Sequence, residues 1–322
     1  MNPATQQARM AKESFLQQEL AIPRDLFTLL RPRGSRLPVV ANLPHSGLQL
    51  SDEVADAFTP RQRRRLPNSD WHLQALYDFL PALGVTVLQA NYSRYMVDLN
   101  RSTTPPLFGS FWSSALPEKT AFGDEIYLKK PSETAVAARV EHYYTPYHQA
   151  LSTLLEETIA QHGRAYLLDL HSFGGVIEDE VCLGDARGKS CEEALTATVE
   201  SGLTTQGFQV VRNRVFSGGY ITRHYGALDH VDALQIELRY TSYLADEQLE
   251  IDGIPHAQGP RFHRARKQLQ AAFEDILSAL CPSSWTASGY GRSRRETASP
   301  ALQGASAGDS AGASAGAGGH RS

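Results

Sequence analysis

Arg164-Ala-Tyr-Leu-Leu-Asp-Leu-His-Ser-Phe-Gly-Gly175 is the stretch on which the reading of this chain turns. Tyr166 to Leu170 is a short apolar run, the pattern of a strand buried on both faces of a parallel sheet. His171 follows at the first loop position, ahead of a Ser-Phe-Gly-Gly turn. In open α/β sheets the carboxyl ends of the strands border the ligand crevice, so this histidine is placed to face one. A single histidine there is more often structural than catalytic. The construction occurs a second time, in Leu37-Pro-Val-Val-Ala-Asn-Leu-Pro-His45-Ser-Gly47: an apolar run, a histidine, a small-residue turn. Two strands that each deliver a histidine to one sheet edge present two ligands for one metal.

Composition narrows the function classes. A chain of 322 residues can bury a substantial core. A net charge of −4 gives no general attraction to nucleic acid or to anionic membranes. Cys182, Cys191 and Cys281 have no CxxC spacing, which argues against a disulfide framework and a thiolate zinc site. A reducing cytoplasm fits that usage. Met1 to Glu19 is polar and lacks the apolar core of a secretory signal, and no run approaches the length of a transmembrane helix. The expected location is cytoplasmic; the oligomeric state is open.

Between the two histidines, Leu73, Leu76, Tyr77 and Leu80 form an i, i+3, i+4, i+7 stripe that predicts an amphipathic helix over residues 70–80. Ser69 or Asp70 is placed to cap it. Asp70 can also be read as a carboxylate metal ligand, with His72 as the alternative; the segment alone favours the cap. Gly84 to Ala90 reads as a strand. In Asn91-Tyr-Ser-Arg94-Tyr-Met-Val-Asp98-Leu-Asn100-Arg101, two arginines flank an acidic residue. Arg94 and Arg101 could hold an acidic substrate, because guanidinium pairs with carboxylate in a bidentate fork. Equally, Asp98 could neutralise one of them in a structural ion pair.

Residues 102–130 have little periodicity, as in a functional lid. Ser132 to Ala160, Glu192 to Ser201 and Phe262 to Leu280 read as helices, and Phe208 to Val211 as a strand. His142 and His148 are expected to pack and hydrogen-bond rather than to ligate. Asp185 reads as a solvated loop acid. The segment Asn213 to Gly226 has paired glycines and a basic, aromatic second half, suited to close approach of backbone to a ligand. It carries Tyr220 and Arg223 as substrate-binding candidates. Val231 to Arg239 is the last core strand, in which Glu237 would be costly unless paired or functional. Strands alternating with helices predict an α/β fold, a mixed, mostly parallel sheet flanked by helices. Zinc hydrolases use three protein ligands and leave a position for water, with a nearby Glu as proton carrier.

Taken in order, Asn42-Leu-Pro-His45-Ser-Gly47, Tyr92-Ser-Arg-Tyr-Met-Val-Asp-Leu-Asn-Arg101, Tyr144-Thr-Pro-Tyr-His148, Leu168-Asp-Leu-His171-Ser172, Gly218-Gly-Tyr-Ile-Thr-Arg-His-Tyr-Gly226 and Leu234-Gln-Ile-Glu-Leu238 resemble the N-formylglutamate amidohydrolase family. The resemblance runs from about Leu37 to Leu280. It implies a fold similar to zinc carboxypeptidases and phosphorylase/hydrolase-like enzymes, and hydrolysis of N-formyl-L-glutamate in histidine degradation. It implies His45, His171 and Asp70 as ligands of one divalent metal, most naturally Zn²⁺. Asn100 and Arg101 then match a pair that holds a substrate carboxylate, Arg94 and Arg223 are candidates for the second carboxylate, and Glu237 takes the place of the catalytic Glu. In the implied mechanism Glu237 deprotonates a zinc-activated water that attacks the formyl carbon, zinc and an arginine steady the oxyanion, and Glu237 protonates the leaving amine. The implied partner is a small acidic N-acyl amino acid. The alternatives are a deacylase for another N-acyl acidic amino acid, or a non-catalytic ligand-binding relative. The expected organisation is an N-terminal arm over 1–20, one catalytic domain over 21–282, and a disordered Gly/Ala/Ser-rich tail over 283–322.

Overall fold

The computed structural model describes residues 25–175 and 178–282, so the arm over 1–20 and the tail over 283–322 lie outside the described residues. The centre is a seven-stranded mixed sheet with strand order β1-β3-β2-β6-β9-β7-β8. Its strands are β1 (Phe27–Leu30), β2 (Val39–Leu43), β3 (Thr86–Ala90), β6 (Ala165–Phe173), β7 (Val181–Gly184), β8 (Val210–Arg212) and β9 (Val231–Arg239); β4 (Phe108–Gly109) and β5 (Leu116–Pro117) form a separate short ribbon. The four central strands β3, β2, β6 and β9 are parallel, whereas β1 and β7 run antiparallel to their inner neighbours. The expected mixed, mostly parallel sheet flanked by helices is the observed architecture.

Helices cover both faces because both faces of the central strands are apolar over most of their length. On one face Leu168, Leu170, Leu234 and Ile236 pack with α2 (Glu193–Thr205) and α3 (Pro260–Leu280), and α1 (Thr145–His162) covers Leu167 and Ala233 on the other. In α3 the buried positions Phe262, Ala265, Leu269, Ala272, Phe273, Ile276 and Leu277 recur with the 3.6-residue period of one buried stripe. A third cluster, which includes Phe58, Tyr95, Phe111, Ile126 and Tyr127, lies beneath residues 102–130 and gives that segment its own core.

Strand order also locates the site. The chain leaves β2 toward β3 on one side, then returns across the sheet to β6 on the other. The carboxyl ends of β2 and β6 therefore flank a topological switch point, where a crevice opens in such sheets.

Three sequence expectations need correction. His171 is not the first loop residue: β6 continues to Phe173, because β9 pairs with it through His171↔Glu237 to Phe173↔Arg239. The helix expected over 70–80 shrinks to Leu73–Leu76, with His72 at its N-cap in the left-handed region (φ 65°) and no side-chain cap. Neither Ser69 nor Asp70 caps it. Asp185 is buried rather than solvated, accepting from Gly188 N at 2.8 Å and Asn213 Nδ2 at 2.7 Å.

Candidate active site

The polar residues of the site come from a change of character along one face of two adjacent strands. Side chains two apart on a strand share a face. On β6 that face runs Ala165, Leu167, Asp169, His171; on β9 it runs Val231, Ala233, Gln235, Glu237. The apolar halves are in the core under α1, and the polar halves lie beyond it at the carboxyl ends. His171 and Glu237 are register partners, as are Asp169 and Gln235. His45 joins them from the turn just after β2, and the peptide N–H of Asp70 donates to its carbonyl at 3.0 Å.

His45, Asp70 and His171 are all buried, and one ligand atom from each lies within 4.8 Å of the others. Asp70 Oδ2 is 3.0 Å from His171 Nδ1 and 3.8 Å from His45 Nδ1. The remaining ring nitrogens each face a carboxylate: His45 Nε2 is 2.7 Å from Asp98 Oδ1, and His171 Nε2 is 3.1 Å from Asp169 Oδ2. A carboxylate behind the far nitrogen is the usual means of fixing the tautomer of a metal-binding histidine. Two imidazoles and one carboxylate make a donor set suited to a divalent ion of the zinc type. These three residues could hold a metal. His72 could not join them as placed, since its Nε2 lies 2.5 Å from the Pro255 carbonyl oxygen.

The charges behind the two histidines differ. Asp98 also takes Arg94 Nε at 3.2 Å and Nη2 at 2.5 Å, so Arg94 sits in the structural ion pair that the sequence allowed. Asp169 instead accepts from neutral donors, Asn42 Nδ2 at 2.7 Å and Thr222 Oγ1 at 3.2 Å. Burial, helped by Arg94, pushes the His45 pKa down to about 4. Burial works the same way on His171, but Asp169 and Asp70 outweigh it and hold its pKa well above the ordinary value. Burial, reinforced by Asp70 and Asp169 against the pull of His171, pushes the Glu237 carboxyl up to about 7.

Of the residues named from the sequence as ligating, catalytic or substrate-binding, all but the alternative ligand His72 line one cleft of about 660 Å³. Arg101 donates Nε to the Phe111 carbonyl at 3.2 Å and Nη1 to its neighbour Asn100 at 3.0 Å. Arg223 donates to Gly218 O and Ser217 Oγ, both at 2.9 Å. Neither guanidinium contacts a carboxylate among the described residues. Asn100 is fixed by the Ile221 N–H, which donates to its Oδ1 at 2.8 Å, and its Nδ2 lies 3.2 Å from His171 Nε2. A Cβ on Gly219 would fall 2.2 Å from that amide, so only glycine allows the loop this close. Tyr220 packs its ring against His224 with centroids 5.0 Å apart.

The sequence reading passed over Asp169 and Gln235. Gln235 accepts the Gly219 N–H at 2.6 Å and donates to Glu237 Oε1 at 2.9 Å, tying the glycine loop to the carboxylate. The available signal was the i, i+2 spacing of Asp169 with His171 and of Gln235 with Glu237, which puts each pair on one face.

The sequence profile described as N-formylglutamate amidohydrolase matches residues 37–244. The chain belongs to the N-formylglutamate amidohydrolase family. A protein named N-formylglutamate deformylase from Pseudomonas aeruginosa is 38% identical over 226 residues, covering 66% of this chain and 84% of that relative. One of the same name from Pseudomonas putida is 35% identical over 227 residues, with the same 66% and 84% coverage. The solved N-formylglutamate amidohydrolase of Ralstonia eutropha is 26% identical with a TM-score of 0.66, covering 84% of this chain and 99% of that one. The family match includes His45, Asp70, His171 and Glu237 within its bounds. Among the described residues, no helix is long and apolar enough to cross a membrane.

Proposed function

We propose that this protein hydrolyses N-formyl-L-glutamate to formate and L-glutamate, in the cytoplasm, with one divalent metal ion held by His45, Asp70 and His171. The observation that carries the proposal is the juxtaposition of that cluster with Glu237 in a cleft that Arg101 and Arg223 also line. The names of the two Pseudomonas relatives support the substrate. The catalytic unit is placed in residues 21–282, and histidine degradation is the reaction's proposed context.

When bound, the metal supplies Lewis acidity that polarises a carbonyl and lowers the pKa of a water. Asp98 and Asp169 hold the two imidazoles with Nδ1 turned toward Asp70. Glu237 takes the proton from the attacking water as its oxygen bonds to the formyl carbon. The carbon–nitrogen bond then breaks, and Glu237 gives that proton to the leaving α-amine. A carboxyl pushed up toward neutrality serves both steps, because it neither keeps nor loses the proton too firmly. Glutamate carries two carboxylates. Arg101 and Arg223, which contact no protein carboxylate among the described residues, are assigned to them, with Asn100 beside Arg101. The Arg94 charge is already engaged by Asp98, so its assigned role is to position that residue.

The test is amine release from N-formyl-L-glutamate, N-acetyl-L-glutamate and N-formyl-L-aspartate, with and without chelator, in the wild type and in Glu237→Gln. Selective, chelator-sensitive turnover of formylglutamate is expected. Glu237→Gln should lower kcat by about 10³-fold while retaining bound metal and substrate affinity. Chelator-resistant turnover, or a Glu237→Gln variant with wild-type kcat, would overturn the assignment. A non-catalytic relative would show ligand affinity with no turnover in the wild type.

A further inference from the structure

The turn that carries Asn100 and Arg101 presents three consecutive backbone carbonyls, and each has a donor. Arg101 folds its own Nη1 back to the Asn100 carbonyl at 3.0 Å. The carbonyls on either side are bound from outside the turn. His148 Nε2 is 2.9 Å from the Leu99 carbonyl oxygen, and Tyr144 donates its hydroxyl to the Arg101 carbonyl at 2.9 Å. These two donors come from 49 and 43 residues away in sequence. Inside the turn, the Asn100 N–H donates to Asp98 Oδ1 at 2.9 Å and the Arg101 N–H to the Asp98 carbonyl at 3.3 Å. The backbone of residues 99–101 is thus pinned from both sides, and the Arg101 side chain starts from a fixed peptide.

One local device presents both outside donors. The chain widens through a π turn at Val140–Tyr144, where the Thr145 N–H reaches back five residues to the Val140 carbonyl, and α1 follows directly. Single π turns within helices recur at functional sites. Tyr144 and His148 are four residues apart and so share a helix face, and their rings pack with centroids 4.1 Å apart. A carbonyl can only accept, so His148 Nε2 carries the hydrogen, and the Tyr225 hydroxyl, 2.9 Å from Nδ1, holds that tautomer. Neither Tyr144 nor His148 lines the cleft, whereas Asn100 and Arg101 do. A water could satisfy either carbonyl. Two packed rings on a helix add what water does not, a rigid support for side chains that meet a ligand.

We infer that Tyr144 and His148 are positioning residues for substrate binding, holding the Leu99–Arg101 backbone so that the Arg101 guanidinium meets a substrate carboxylate already oriented. The inference rests on the assignment of Arg101 to a carboxylate of N-formyl-L-glutamate made above. A bidentate guanidinium–carboxylate pair depends on angle as well as distance, so a small shift of the supporting peptide weakens it. The loss falls on binding rather than on chemistry, because His171 and Glu237 are carried by β6 and β9 and not by this turn. An interaction made equally in the ground state and the transition state shows in KM and leaves kcat in place.

The experiment measures kcat and KM for N-formyl-L-glutamate in the full-length protein, with kcat expressed per folded molecule. Tyr144→Phe and His148→Leu should each raise KM by about tenfold and leave kcat within about twofold of the wild type. His148→Gln keeps a donor toward the Leu99 carbonyl and should stay within about threefold of the wild-type KM. Arg101→Lys loses the planar fork and should raise KM by itself. Tyr144→Phe added to Arg101→Lys should raise KM by less than about twofold further, because no fork is left to orient. If His148→Leu does not fold, Tyr144→Phe and its combination with Arg101→Lys decide. Three results overturn the inference and leave the deformylase reading standing: a wild-type KM in Tyr144→Phe, a KM in His148→Gln as high as in His148→Leu, or a full KM rise from Tyr144→Phe on top of Arg101→Lys. A wild-type KM in Arg101→Lys removes the carboxylate assignment, and absence of turnover in the wild type removes the reaction; either takes the inference with it.

Discussion

His45 and His171 point the same ring nitrogen at the same carboxylate, yet they sit in opposite electrostatic settings. Behind His45 stands Asp98, whose charge is answered by the bidentate Arg94. Behind His171 stands Asp169, answered only by the dipoles of Asn42 and Thr222. Burial, helped by Arg94, holds one histidine neutral down to about pH 4, whereas Asp169 and Asp70 draw the other toward its protonated form against the same burial. The contrast shows that a carboxylate behind a histidine has two separable effects. Geometry fixes the tautomer in both cases, whereas the net charge of the backing group decides how readily the ring takes a second proton.

The largest effect should come from removing what the two histidines share. Asp70→Asn takes the charge from the oxygen nearest both Nδ1 atoms. Metal content after dialysis against a weak chelator should fall well below one equivalent, and kcat/KM by about 10³-fold. Retention of full metal content would remove Asp70 from the ligand set.

Next come the two backing carboxylates, which the comparison says must fail differently. Asp98→Asn leaves the buried Arg94 guanidinium without its counter-charge, at about 3–5 kcal/mol. In a chain of this size that corresponds to a Tm lower by about 10 °C. Asp169→Asn leaves His171 with Asp70 as its remaining carboxylate and should cost about 1 kcal/mol. Both should weaken Zn²⁺ binding by about 10–100-fold in competition with a chromophoric chelator. The double variant Arg94→Met/Asp98→Asn should recover most of the lost Tm but none of the lost affinity. Equal Tm losses in the two single variants would show that Arg94 is not what distinguishes the two sides.

How much of this was open to a reader of the sequence depends on how local each signal is. The strands under His45 and His171 were legible, because a parallel strand buried on both faces is a continuous apolar run. So was β9, whose bounds coincide with the expected Val231 to Arg239. The end of β6 was not, since backbone pairing with β9 carries it past His171 and no residue of β6 announces that. The stripe over residues 70–80 misled for a related reason. Leu73, Leu76, Tyr77 and Leu80 are all buried, but by a short helical turn followed by a 3₁₀ turn at Leu80–Leu83, so a helical period was present without a long helix. Asp98 was weighed only as a partner for an arginine, and its second bond to His45 arises from a contact 53 residues away in sequence. Asp169 was hidden in plain view as one polar letter in an apolar run, whose meaning depends on which face it shares.

A third histidine sharpens the comparison from outside the His45, Asp70, His171 cluster. His148 has no carboxylate on either nitrogen: Nδ1 is 2.9 Å from the Tyr225 hydroxyl and Nε2 is 2.9 Å from the Leu99 carbonyl. The titratable groups around it are Tyr144, Tyr147, Tyr220 and Tyr225, with His224 and Asp169 acting at longer range. Burial, with a smaller push from His224, lowers its pKa from 6.5 to about 4, against the pull of the Leu99 carbonyl and Asp169. Folding thus favours the neutral ring. Its contribution is present in full above pH 6.5 and is lost as the pH falls through about 4. Because the ring is only partly buried, the amount is on the order of 1–2 kcal/mol rather than the full value of the shift. His148→Gln keeps a donor and an acceptor at the position without a titrating group. The fall in urea stability between pH 7 and pH 4.5 should be smaller by about that amount in His148→Gln than in the wild type, with Zn²⁺ affinity at pH 7 unchanged. If the two proteins lose stability in parallel, burial of a neutral ring is not what His148 contributes, and the neutrality of His45 would then rest on Arg94 rather than on burial shared by both rings.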